Sequence, residues 1–277
     1  MDKYLIEKKP GSPRLFCISR IEEFIELVTW LSSDGHVVFR GQRRNLPLIP
    51  SVGRDKKRRL WSYVEKEVFE EFKREALPYL GFTPTNDWQW LAVAQHNRLP
   101  TRLLDWTRNP LAALWFTVCK PADKEEAGVV WGFIYEPTEA ISSTTDLPPN
   151  LASPFSIENT LLYFPEYIFP YIQAQSGVFT VHHRQADNDV FVPFENTKDA
   201  DLLLSRIEIP AKSFPTLRYQ LFRLGISPAS LFPGLYGLVE RIKYQNEFCK
   251  DEFENKGQQE GSRLHFPLFE ECRRDPL

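Results

Sequence analysis

Apolar residues recur at helical spacing from Ile21 through Phe24, Ile25, Leu27 and Val28 to Leu31, and Ser19 stands where a capping hydroxyl belongs. Gly35 breaks that pattern. The run Val37-Val38-Phe39 then predicts a short strand that leaves the core at Arg40-Gly41. An amphipathic helix is expected over 61–77, stopped by Pro78, and another over 87–95 with Asn86 as its cap. Pro100 and Pro110 leave residues 101–106 room for a strand or an extended loop but no ordinary helix. Pro110 opens a largely buried helix reaching Val118, since the first helical turn has no use for the missing amide. Strands are expected at Gly128–Tyr135, 177–182 and 202–209. Helices follow at 213–224 and 228–244, the second interrupted by Pro233-Gly234. This irregular interleaving lacks a repeating βα rhythm and predicts an α+β fold, a single domain with a mixed or antiparallel sheet. The expected division is an arm over 1–18, the domain over 19–245 and a loosely packed polar tail over 246–277.

Composition narrows the class. With 42% hydrophobic and 14% aromatic residues among 277, the chain can bury a large core and is not globally disordered. The longest unbroken apolar run, 111–116, is far short of the roughly 20 residues of a membrane span. The start, Met1-Asp2-Lys3-Tyr4, lacks a leader pattern, so a cytoplasmic protein without membrane partners is expected. Cys17, Cys119, Cys249 and Cys272 show no metal-knuckle or redox spacing, which predicts reduced thiols and no metal site. A net charge of −3 gives no global attraction to nucleic acid. Locally, residues 40–60 hold eight Lys/Arg against Asp55 alone: Arg40, Arg43, Arg44, Arg54, Lys56, Lys57, Arg58 and Arg59. That run is either a phosphate-contacting face or a solvated surface.

Two segments carry candidate chemistry. In Phe39-Arg40-Gly41-Gln42, an arginine ends a buried strand beside a glycine, which would let a ligand approach the backbone under a planar donor fork suited to phosphate or carboxylate. A core ion pair would use the same arginine. The stretch 95–110 is dense in polar side chains yet lies between apolar helices. Asp105, between Leu104 and Trp106, is expected to be partly buried and paired with Arg40, Arg102 or His96. His96 is either a general base or a structural residue of a polar turn.

Phe39-Arg40-Gly41-Gln42, Gln95-His96 and the segment Leu99 through Thr107 resemble the FRG domain, named for its Phe-Arg-Gly motif. Gln175 through Thr180, Ile209-Pro210-Ala211 and Gly225 through Leu235 resemble it too, so the likeness extends over roughly residues 20–245. Two positions depart: glycine is expected where Arg98 stands, and a basic residue near Tyr171. A weaker resemblance is to ADP-ribosyltransferase folds, which set an Arg or His before Gly on a first strand, a polar or aromatic residue on a second, and Glu or Gln on a later one. It implies an enzyme that uses NAD as substrate, transferring ADP-ribose or cleaving NAD, in the manner of a toxin or antiviral defence effector. The implied catalytic set is Arg40, Asp105, Gln175 and His96. Arg40, Gly41, Gln42, Thr101, Arg102, Trp106 and Thr107 would hold the nucleotide, with Trp106 stacked on a ring. Glu158 and Glu166 are candidate acids by proximity. The acceptor would be a nucleic acid or a protein. The alternative is a non-catalytic nucleotide- or nucleic-acid-binding module, and weaker still a hydrolase using Asp105 and His96.

Overall fold

A computed structural model describes residues 3–33, 35–54, 59–142, 151–184, 191–247, 249 and 251. The first half of the chain gives β1 (Leu5–Glu7), β2 (Arg14–Cys17), α1 (Ile21–Leu31), β3 (His36–Gln42), α2 (Arg59–Ala76), α3 (Asp87–His96), β4 (Leu103–Thr107) and α4 (Pro110–Val118). The second gives β5 (Gly128–Tyr135), β6 (Ile141–Ser142), β7 (Leu161–Phe164), α5 (Pro170–Ala174), β8 (Gly177–Val181), α6 (Ala200–Leu203) and β9 (Leu204–Ile209). It closes with α7 (Phe214–Arg223), α8 (Pro228–Leu231) and α9 (Leu235–Asn246). Among the described residues nine strands form one mixed sheet in the order β1-β2-β9-β5-β3-β4-β8-β7-β6, so the α+β expectation holds.

The sheet is two well-laddered halves. β3 pairs with β5 along its whole length, from His36↔Tyr135 to Gln42↔Val129, and β4 pairs with β8 from Leu103↔Val181 to Thr107↔Gly177. Between the halves, β3 and β4 share one register pair, Phe39↔Thr107, and then part. Helices cover each half separately. Phe24 and Leu27 of α1, Leu114 of α4 and Leu217 of α7 close over Phe39, Val130 and Ile207. Phe69 of α2 with Trp88 and Leu91 of α3 close over Leu103, Phe179 and Val181. The other side of the seam is filled by Trp106, Trp131, Phe133 and Phe194. Full burial of such side chains contributes roughly 1.5–3 kcal/mol each, so each half has its own hydrophobic reason to form.

Local chemistry explains most boundaries. The Asn86 side chain accepts from the Gln89 amide at 2.9 Å and caps α3 as expected. Asn109 does the same for α4, taking the Leu111 amide at 3.0 Å. For α1 the cap position is Arg20 rather than Ser19, and the Glu23 carboxylate gathers the amides of both residues at 2.9 and 3.1 Å. The strand expected over 202–209 is divided: α6 runs to Leu203, and β9 begins at Leu204. Residues 1–18, read as an arm, supply β1 and β2 at one edge of the sheet. Of the stretch read as a loose tail, Asp251 is anchored, its carboxylate taking both Nη atoms of the fully buried Arg218 at 3.1 and 2.8 Å. Lys56, Lys57, Arg58, the side chain of Arg59 and residues 252–277 lie outside the described residues. No described helix is long and apolar enough to cross a membrane.

Candidate functional site

Where β3 and β4 part, a cleft of about 700 Å³ opens, and Arg40, His96, Asp105 and Gln175 all line it. β3 presents Arg40, β4 presents Asp105, and Gln175 comes from the turn between α5 and β8. His96 comes from the last residue of α3. Four residues spread over the sequence thus meet at one seam.

Arg40 bridges that seam. Its Nη1 donates to the backbone carbonyl of Asp105 at 2.6 Å and lies 3.7 Å from the Asp105 carboxylate. The side chain therefore supplies a donor to a carbonyl that the diverging strands leave without a ladder partner. It is only 13% exposed, against 61% for the Asp105 side chain. Desolvation pulls the Arg40 pKa down to about 10; Asp105 opposes this and Arg54 adds to it. Its Nε is buried without a hydrogen-bond partner among the described residues.

Asp105 is the exposed exception in a strand whose other four residues are buried, which corrects the expectation of a partly buried carboxylate. The reason is the seam. On β4 the neighbours Leu104 and Trp106 turn into the core, and Asp105 faces the gap that β3 has vacated. The carboxylate is oriented by a relay. Thr101 Oγ1 donates to Gln95 Oε1 at 2.6 Å, which leaves the Gln95 amide to donate to Asp105 Oδ1 at 3.0 Å. Thr101 therefore acts behind the cleft and does not line it.

Other nucleotide-binding candidates are used by the fold. Trp106 is 3% exposed, its ring packed against Phe133 and edge-on to Phe194, with Nε1 donating to Thr180 Oγ1 at 2.9 Å. It borders the cleft, but so little of the indole is exposed that it offers a ligand ring almost no stacking surface. Gln42 Oε1 accepts from Trp131 Nε1 at 3.2 Å inside the core. Arg102 is closed on Glu65, with Nη2 to Oε2 at 2.7 Å, and its Nη1 donates to the Pro154 carbonyl at 3.1 Å. Neither Gln42 nor Arg102 reaches the cleft. Gly41 lines it, but a Cβ there would lie 1.9 Å from the Ala113 carbonyl. The glycine admits α4 onto β3, and that space is not open to a ligand. Thr107 Oγ1 donates to the Gln175 carbonyl and accepts from the Asn109 amide at 2.9 Å, tying the Gln175 turn to the head of α4. Glu166 accepts from Gln89 Nε2 at 2.9 Å, and Glu158 lines a different cavity; neither borders this cleft.

Other residues complete the cleft. Phe116 of α4, Tyr171 of α5, Phe232 and Tyr236 add an aromatic lip to it. Arg98 adopts φ +65° just past α3, the left-handed conformation for which glycine is favoured, so the departure from the family pattern falls where glycine has a backbone reason to be. Behind the site, His182 is 1% exposed and its Nε2 lies 2.9 Å from Thr180 Oγ1. Burial, then Arg40, Arg54 and Arg102, lower its pKa to about 3, so it is neutral. Alternation of Val178 and Thr180 on β8, continued by His182 just past its end, was the available signal. Burial also lowers the His96 pKa. Among the described residues no cluster of His, Cys, Asp or Glu could hold a metal.

The FRG domain family model matches residues 35–126, the segment from the start of β3 to the loop before β5. No curated protein and no solved structure matches the chain.

Proposed function

From a chain whose residues 35–126 match the FRG domain family model, we propose an enzyme that binds NAD in the seam cleft and breaks its nicotinamide–ribose bond, passing ADP-ribose to water or to a nucleic-acid or protein acceptor. The observation that carries this reading is the convergence of Arg40, Asp105 and Gln175 where β3 and β4 part. The cleft volume falls within the roughly 300–1,000 Å³ usual for small-molecule and cofactor sites.

The chemistry follows from the residues. As the C1′–N bond breaks, its electron pair leaves with nicotinamide and positive charge develops on the ribose carbon. An oriented, exposed Asp105 carboxylate stabilises that charge, and the proton of the incoming nucleophile passes to it or to solvent. Gln175 Nε2 donates to the Leu231 carbonyl at 3.1 Å, which leaves its Oε1 to accept from a ribose hydroxyl. The guanidinium of Arg40 contributes positive charge toward the pyrophosphate from the floor of the seam. Depletion of NAD, or modification of a vital acceptor, suits a toxin or antiviral defence effector.

The donors of Arg40 and Gln175 that are committed within the protein favour one other reading, a non-catalytic module that binds nucleotide or nucleic acid. The test is incubation of the protein with NAD, with and without nucleic acid and cell lysate, followed by mass spectrometry for nicotinamide and ADP-ribosylated products. Nicotinamide release that falls about 10²- to 10³-fold in Asp105→Asn supports the enzyme. No release and no NAD-dependent rise in melting temperature, together with salt-dependent nucleic-acid binding, would establish the binding module instead.

A further inference from the structure

We infer that His96 is the platform on which a planar ring of the ligand stacks, and that it transfers no proton; this rests on the nucleotide reading of the cleft. The imidazole lies on the Phe169 ring with centroids 3.9 Å apart and planes 8° from parallel, and it lines the cleft half-buried. One face is therefore fixed by Phe169, and a ligand ring would extend the column. The surrounding rings continue this surface. Tyr171 lies 5.6 Å from His96 and 5.9 Å from Phe232, and Phe232 meets Tyr236 edge-on at 5.8 Å. Tyr236 is 60% exposed, so the run of rings ends at the cleft mouth. Trp106 cannot take this role, because its indole is enclosed.

A base role fits less well. A general base is ordinarily oriented by a hydrogen bond at its second nitrogen, and among the described residues stacking is what orients His96. Burial favours the neutral imidazole, which stacks on a neutral purine and attracts a cationic pyridinium.

The experiment compares wild type, His96→Phe, His96→Gln and His96→Ala, each checked for a normal melting curve. Binding of NAD, AMP and ribose 5-phosphate is measured by calorimetry, and NAD turnover by nicotinamide release. Stacking predicts that His96→Phe keeps affinity and turnover within about threefold of wild type. His96→Ala should lose on the order of tenfold or more for NAD and AMP, with ribose 5-phosphate unaffected. If His96→Ala does not fold, His96→Gln takes its place. Full nucleotide affinity in the Ala or Gln variant would overturn the platform. So would a His96→Phe enzyme that binds normally but turns over as poorly as His96→Ala, which would make His96 a base. If wild type binds none of the nucleotides, the nucleotide reading itself fails, and that outcome is distinct from both.

Discussion

Two arginine–carboxylate pairs flank β4, and they differ in what surrounds them. Arg102 and Glu65 have side chains 7% and 6% exposed, and Glu65 also takes the Arg102 amide at 3.0 Å. The Phe155 ring lies 4.6 Å from the guanidinium. That pair is sealed and leaves nothing for a ligand. Arg40 and Asp105 are asymmetric: the cation is enclosed at 13% exposure and bound to a backbone carbonyl, while the anion is 61% exposed and held by Gln95. Enclosure of both partners produces a strut, and enclosure of one produces a strut with an exposed carboxylate mounted on it.

Breaking the sealed pair should have the largest effect on stability. Glu65→Ala strands a buried guanidinium, and the expected loss is about 3–5 kcal/mol, or a fall of roughly ten degrees in melting temperature. Glu65→Leu combined with Arg102→Met should recover most of it, since no charge is then left unpaired. A double mutant as unstable as Glu65→Ala would show that the pair is not what holds α2 to β4. At the open pair, Arg40→Met deprives the Asp105 carbonyl of its donor and should cost about 1–3 kcal/mol by denaturant titration. Lost activity in that variant is thus no proof that Arg40 touches substrate. Asp105→Asn should change stability by less than about 1 kcal/mol, because the carboxylate is solvated and its ion pair is long. Coupled with the loss of nicotinamide release expected above, that would separate the proposed role of the carboxylate from the strut. A melting temperature lowered as far as in Arg40→Met would remove the distinction.

The long periodic segments were readable because their pattern is redundant: α1, α4 and β5 were each expected with the observed ends. β1, β2, β6 and β7 have two to four residues each, too few for a period to appear, and α5 has five. The site was legible as a set of residues but not as roles. Leu103-Leu104-Asp105-Trp106-Thr107 has apolar neighbours on both faces, so alternation could not say that Trp106 turns inward and Asp105 outward. The partner strand decides that, by parting at Thr107. Gly41 was visible as a close-approach position, yet the approaching atom is the Ala113 carbonyl, supplied by a helix far along the chain. The lip residues Tyr171, Phe232 and Tyr236 lie outside the 35–126 family match; the β4–β8 ladder carries α5 beside it, and Phe232 packs on Trp115 and Phe116 of α4.

The smallest effect concerns the joint between these regions. Arg98 follows α3 and precedes the residues that carry Thr101 and Arg102 onto β4, so one backbone turn sets both pairs. Its φ of +65° is unfavourable for a residue with a Cβ. The turn is closed by hydrogen bonds from the Arg98 amide to the Gln95 carbonyl and from the Leu99 amide to the Ala94 carbonyl, both 3.0 Å. Arg98→Gly relieves the Cβ strain without touching those bonds, although the freer glycine also raises the entropy of the unfolded chain. The net expectation is a gain of about 0.5–1 kcal/mol, seen as a rise of roughly two degrees in melting temperature. The Arg98 side chain also lines the cleft, so the same variant removes a cation from its rim. A stabilised protein with weaker nucleotide binding would assign Arg98 to the ligand, and unchanged binding would leave it a residue of the turn alone.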